Sequence, residues 1–415
     1  MTAAEPARTS EAEAAADAEH RVTHLELFFD LVFVFAITQV TAFIAEDLTW
    51  GGLVRGLFIL AALWWTWAAY AWLTNTLDPE EGPVRLAMFA SMAAMLIVAL
   101  ATPRAFGADG VAFGIAYFLV RALHLVLYAI AGRHDPDLER AVLRILPSAL
   151  LGATLLVVAG FLDGLAQGAV WAVALAIDYL WLLVVGMRGW RIFADHFVER
   201  HGLIMIVALG ESIVAIGIGA AGLPLDVGLI VAALLGITVA CALWWSYFDW
   251  AIFFSRARLA DSTGVEQAVL ARDLYSYLHL PMVAGIVLFA LGVKTTIAHV
   301  GDPLDLISAV AMCGGLALYF AGHVAHRLRA SGTWGRGRPI ATVALLALIP
   351  LATAVPALVA LALVAGVCAA LIAYEAVRYS YARAWIRSRR GSFTMEEAQR
   401  IAPRTGRNPD LGDPE

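Results

Sequence analysis

Charged side chains make up only 15% of this 415-residue chain and 61% of it is hydrophobic, too little charge to clothe a water-soluble globule of that length. Cysteine is scarcer still. Cys241, Cys313 and Cys368 stand singly in apolar runs without C-x-x-C spacing, which excludes a disulfide framework and a zinc ribbon and leaves them as small core residues. Catalytic signatures are missing as well. The chain has no G-x-S-x-G elbow, no Walker loop, no H-E-x-x-H and no dinucleotide fingerprint, so neither a catalytic residue nor a cofactor is expected. A net charge of −6 argues against a nucleic-acid-binding surface. Residues 1–20 lack the basic and apolar regions of a signal peptide, and their acidic, Ala-rich composition reads as a disordered tail before an uncleaved first membrane helix.

What the chain has in abundance is apolar runs of about 20 residues, the length that crosses a bilayer as a helix. The expected fold is therefore an all-α membrane protein. Its Gly, Pro and charged punctuation gives about twelve spans, at 25–46, 51–73, 84–102, 109–131, 142–162, 166–187, 202–221, 225–251, 272–293, 303–326, 339–355 and 357–377. Arginines mark alternate connections, from Arg21 through Arg133, Arg140 and Arg144, then Arg188, Arg191 and Arg200, to the groups beginning at Arg256, Arg327 and Arg378. The opposite connections hold little beyond Arg104 and Lys294, so the positive-inside rule places both termini in the cytoplasm and supports an even span count.

The two halves share landmarks in one order. Asp30 precedes Trp64-Trp65 in an ALWW string, Glu211 precedes Trp244-Trp245 in another, and Tyr-Phe-x-x-basic-x-x-His follows in each half, at Tyr117 and at Tyr319. This predicts two parallel six-helix repeats, residues 21–188 and 189–380, with a cytoplasmic basic tail at 381–415. The longer connection ARLADSTGVEQAVLARD in the second half reads as an amphipathic cytoplasmic segment, and TMEEAQRI in the tail as one short helix.

Ionisable groups at membrane depth cost on the order of 2.5–3.5 kcal/mol each, so they face protein or water and mark function. Glu26 and Asp30 stand at i, i+4 on one helix face, where two carboxylates repel unless a cation, a proton or an arginine relieves them. Glu211 and Ser212 lie between Gly210 and Gly217, with Gly219 beyond, in a span where small residues admit another backbone, and Glu211 falls near mid-membrane. Tyr117, Arg121, His124 and Tyr128 form one helical stripe that Tyr319, His323 and His326 repeat. If both stripes point to a shared interior they meet the carboxylates, with Arg121 as partner of Asp30, Glu26 or Glu211 and the histidines as proton relays. His279 sits beside Pro281, which could break its span and free backbone groups to line a cavity; Asp178, Asp249, Arg272 and Asp273 are further intramembrane polar groups. The competing reading of each is a hydrogen-bonded packing residue. His323 and His326 lack a third carboxylate ligand, so no metal site is expected.

Three strings, THLELFFDLVFVFAITQ, HFVERHGLIMIVALGESIVAIG and YSYLHLP, resemble the bacterial low temperature requirement A family over nearly the whole chain outside the two tails. That resemblance implies a polytopic inner-membrane protein named for growth at low temperature. It makes Glu26, Phe29, Asp30, Glu199, Arg200, His201, Gly210, Glu211 and Ser212 motif residues without assigning them roles. A looser resemblance, from His24 to Asp30, is to the R-x-x-x-F-S-D opening of two-repeat potassium channels, with His for Arg and Phe for Ser; it implies a cation pathway. The sequence thus points to a transporter or channel for a small solute or ion in the bacterial cytoplasmic membrane, proton-coupled through Glu26, Asp30, Arg121, His124, Glu211, Ser212, His279, His323 and His326. The alternatives are a membrane-embedded enzyme or lipid-handling protein at the cytoplasmic leaflet, and a structural or sensory protein. Expected partners are the lipid bilayer, the solute and further copies of the chain.

Overall fold

The computed structural model describes residues 22–388 and Glu397. The expected tail at 1–20 lies outside them, as does the helix expected at TMEEAQRI except for Glu397, which is helical. Runs this apolar satisfy their backbone groups internally, and the described residues form helices and no strand. In chain order these are α1 (His24–Glu46), α2 (Trp50–Thr74), α3 (Gly82–Ala101), α4 (Gly110–Ala131), α5 (Pro136–Ala159), α6 (Gly164–Val185) and α7 (Ala194–Ala220). The series continues with α8 (Val227–Ala260), α9 (Gly264–Ala298), α10 (Leu306–Ser331), α11 (Gly337–Ala352), α12 (Ala357–Arg378) and the short α13 (Ser380–Ser388). Eleven of them are long and apolar enough to cross a membrane, while α11, one of the twelve expected spans, is a shorter apolar helix of 16 residues.

The helix ends depart from expectation where it matters for the site. α7 starts at Ala194 instead of 202, so Glu199, Arg200 and His201 join the helix together with His196. The string ARLADSTGVEQAVLARD is no separate segment: α8 runs on to Ala260, α9 begins at Gly264, and only a tight link separates them. α13 occupies the start of the expected solvated tail.

Each half closes into a ring. In the first, the packed neighbours run α1–α3–α4–α5–α6–α2 and back to α1; in the second they run α7–α9–α10–α11–α12–α8 and back to α7. Glycines bring some neighbours very close. A Cβ on Gly285 of α9 would sit 2.5 Å from Gly315 O of α10, and one on Gly114 of α4 would sit 2.6 Å from Val157 Cα of α5. The rings meet through α1 and α2 of the first and α7 and α9 of the second.

Three helices widen by one π turn, at Tyr247–Ala251 in α8, Arg272–Tyr277 in α9 and Val310–Gly314 in α10. In α9 the span does not break at Pro281. It passes through its π turn into His279–Ala298, and the displaced carbonyls find other donors: Trp64 Nε1 donates to Ser276 O at 2.7 Å and His279 Nδ1 to Leu274 O at 2.8 Å. Trp64, Trp65, Trp67 and Trp72 are buried in the first ring, whereas Trp244 and Trp245 are exposed on the outer surface. Of the cysteines, Cys313 and Cys368 are buried as expected, but Cys241 is exposed.

Candidate functional site

α1 and α7 lie side by side and run in the same direction, because their contacts advance together. Glu26 meets His196, Asp30 meets Arg200, and Thr38 meets Glu211. An acidic pair at i, i+4 on one helix thus faces a basic pair at i, i+4 on the other. Arg200 has no exposed surface and donates through Nη1 and Nη2 to the two oxygens of Asp30, at 3.2 and 3.0 Å, the forked geometry in which a guanidinium binds a carboxylate most strongly. Trp67 of α2 adds its Nε1–H to Asp30 at 2.9 Å and presents its ring to the guanidinium at 5.8 Å.

Glu26 serves two structures. Its Oε2 accepts from Thr23 N at 2.8 Å while its own N–H donates to Thr23 Oγ1 at 3.3 Å, a capping box that starts α1. Its Oε1 lies 3.0 Å from His196 Nε2. Asn75 Nδ2 donates to His196 Nδ1 at 3.0 Å, and Asn75 is itself held by the Phe193 backbone, so the imidazole turns its Nε2–H toward the carboxylate. Two carboxylates thus face one guanidinium and one imidazole in a buried setting.

Behind Trp67 lies a cluster of imidazoles from α7, α9 and α10. His201 is wholly buried, donates through Nδ1 to Phe197 O at 2.8 Å and has no partner for Nε2. Its ring is 4.9 Å from that of Trp67 and 5.4 Å from that of His279. His279 Nε2 accepts from Tyr247 OH at 2.9 Å, and His326 follows with ring centres 5.5 Å apart. His323 stacks edge-on against Tyr319 at 4.6 Å, with both ring nitrogens unpartnered. A file of aromatic and imidazole rings thus leads from the second ring's interior to the Asp30–Arg200 pair. Among the described residues, no group of three or more His, Cys, Asp or Glu is placed to hold a metal ion.

Other sequence-expected groups sit elsewhere. Arg121 does not reach Asp30, Glu26 or Glu211; it pairs with Asp178 of α6 at 3.4 Å, inside the first ring. The reason is direction. The α4 stripe faces a cavity of about 70 Å3 lined mainly by its own ring, with Ser276 of α9 at its edge and with Arg121, His124 and Tyr128 in its wall. His124 Nε2 donates to Ala69 O at 3.0 Å. Glu211 accepts from Thr38 Oγ1 at 2.7 Å, and neighbouring Ser212 is buried with its hydroxyl unpartnered. Since α7 starts at Ala194, Glu211 stands about 26 Å along the helix, past its middle and well beyond Asp30's level. Gly210 and Gly217 have open space where a Cβ would go, so they admit no neighbouring backbone; only Gly219 does, against Lys294 of α9. Asp249 pairs with Arg383, and Asp273 with Arg272 and Arg329, all as ion pairs at the arginine-rich end. Phe29 is fully buried, its ring 4.8 Å from Tyr70, while Glu199 is exposed on α7 beside the buried Arg200.

His196, Asn75 and Tyr247 belong to the site without having been singled out. For His196 the signal was present: H-x-x-x-R in HFVERHG mirrors E-x-x-x-D in LELFFD once both strings are read as helix.

Helices of this length and apolarity, arranged around a polar interior, make the chain an all-helical multi-pass membrane protein. Residues 21–373 match the family model of the bacterial low temperature requirement A protein (LtrA), and the chain belongs to that family. It is 32% identical over 311 residues to an uncharacterised protein of Rhizobium meliloti (strain 1021), covering 72% of this chain and 75% of that protein. No solved structure matches it.

Proposed function

We propose that this protein is a transporter for a small solute or ion in the bacterial cytoplasmic membrane, coupled to a proton exchanged at the Glu26–Asp30–Arg200–His196 cluster. The observation that carries the reading is the position of that cluster. It lies where the two rings meet, and it gathers two acids, a guanidinium and an imidazole in a fully buried setting. A proton taken up by Asp30 weakens its hold on Arg200, and so changes what keeps α1 against α7. A proton lost restores that hold. Rocking of one bundle on another about such a junction is the usual route of alternating access. His201, His323 and His326 supply unpartnered nitrogens on either side of the hydrogen-bonded His279, and a proton can pass along that file. The low-temperature requirement in the family's description belongs to the same proposal: cells lacking the protein would grow poorly in the cold, and Asp30→Asn would fail to rescue them.

The test is proton flux into sealed liposomes carrying the purified protein, with a potential imposed and candidate solutes supplied in turn. The expected result is a solute-dependent flux that Asp30→Asn reduces at least about tenfold, the effect of losing one proton-transfer group. Equal flux in wild type and in a folded Asp30→Asn variant would sink the reading.

A further inference from the structure

The second ring encloses a cavity of about 760 Å3 that opens at the arginine-rich end, between α10, α11, α12 and the link after Ser331. Its volume is that of a pocket for an organic molecule and far exceeds the needs of a bare ion. Four guanidinium groups line it, and one of them is neutralised. Arg338 binds Glu375 through Nε and Nη2, at 2.8 and 3.3 Å, and is anchored on Ser246 O. Arg327, Arg336 and Arg378 have no carboxylate within ion-pair reach among the described residues. Arg327 is aimed instead of free: it donates to Thr333 Oγ1 at 3.3 Å and to Tyr379 OH at 3.2 Å. Gly335, at φ +71°, turns the link beside it, and a Cβ there would come within 2.9 Å of Arg327 Nη1. Arg378 lies over the Tyr379 ring at 5.6 Å and keeps Nη1 buried without an acceptor.

The floor of the cavity is equally unfinished. His323 and His326 are 1% and 5% exposed, and three of their four ring nitrogens have no partner. Buried polar atoms left without partners are costly, and His323, His326 and Arg378, which carry them, all belong to the lining of this one cavity. Trp334, Tyr374 and Tyr379 supply an aromatic wall.

We propose that this cavity is a binding site for an organic oxyanion, a phosphate-bearing molecule with an apolar or aromatic body. Its phosphate lies among Arg327, Arg336 and Arg378, its body lies against the aromatic wall, and the two imidazoles reach it from below. Guanidinium forks suit phosphate because they offer paired donors in one plane. A soluble phosphate ester and the headgroup of an anionic phospholipid share this chemistry. The site stands whether or not the chain moves protons.

Two arms separate the sources. In the first, protein in phosphatidylcholine nanodiscs is titrated calorimetrically with phenyl phosphate. In the second, nanodiscs doped with phosphatidylglycerol are examined for lipid that stays with the protein on native mass spectrometry. The expected result is saturable binding in at least one arm, weakened at least about tenfold by Arg378→Gln and by Arg327→Gln. Arg329→Gln, at the same end but paired with Asp273 outside the cavity, leaves that binding unchanged. Should both of these half-buried variants misfold, Arg336→Gln at the exposed mouth replaces them, with a smaller loss in the same direction expected. Binding in neither arm, or binding that these substitutions leave intact, would overturn the proposal.

Discussion

Arg200 shows what a single buried charge does in this protein. It is fully enclosed and bound to Asp30 by two hydrogen bonds, so removing its side chain strands an acid in an apolar interior. Such stranding costs about 3–5 kcal/mol, whereas replacing both members of a pair by uncharged groups is often near neutral. Arg200→Ala is therefore expected to lower stability by about that amount in a denaturation series in detergent, and Asp30→Asn combined with Arg200→Met is expected to recover most of it. A double variant no better than Arg200→Ala would mean that the pair does not act as one unit. The acidic side of this pair was legible in the sequence, since two carboxylates at i, i+4 in an apolar run have few explanations. The basic side was not. With α7 expected from 202, His196 and Arg200 read as connection, and only the helix's true start turns them toward α1. The partner of Arg121 was illegible for another reason: sequence spacing fixes which face of α4 it occupies, but not which helix that face meets.

Elements in this fold are held by contacts whose sign can be read glycine by glycine. Gly285 of α9 faces backbone, with Gly315 O and Tyr319 N at 2.5 and 2.7 Å from its would-be Cβ, so a methyl group there forces α9 and α10 apart. Overpacking of this kind costs typically about 1–3 kcal/mol. Gly210 of α7 has nothing near it, and alanine in its place gains up to about 1 kcal/mol of helix propensity. Thermal melts of Gly285→Ala and Gly210→Ala should thus move in opposite directions; a destabilised Gly210→Ala would show that something packs there after all. The placement of spans was readable because bilayer thickness fixes their length. The π turns were not, since that of α9 depends on Trp64 of another helix, and on His279, to take the carbonyls it releases.

At the scale of the whole molecule, the two halves close their rings in the same order, and in each a tyrosine of the fourth helix donates to the second: Tyr117 OH to Ala62 O and Tyr319 OH to Leu243 O. Two of the landmarks that suggested a duplication, by contrast, do not correspond. Asp30 lies opposite Arg200 and Glu211 opposite Thr38, two turns farther along α1, and the Trp64–Trp65 pair is buried where Trp244–Trp245 is exposed. Tyrosines that bond a neighbouring backbone were the better guide, because that bond fixes a helix pair, whereas an acid or an apolar Trp pair can face any neighbour. The rings also sort charge by end. Arg140, Arg191, Arg256, Arg329 and Arg383 lie where the odd-numbered helices start or the even-numbered ones finish, and Arg55 and Arg104 at the opposite end. An excess of arginine marks the cytoplasmic side. Single cysteines at Asp137 and Ser331, in a chain freed of Cys241, Cys313 and Cys368, are therefore expected to react with a membrane-impermeant maleimide only after the cells are opened. Cysteines at Asp163 and Asp302 should react in intact cells. The reverse pattern would turn the molecule over and place the arginine-lined cavity outside; labelling of Asp137 and Ser331 from opposite sides would break the alternation on which the two-ring arrangement depends.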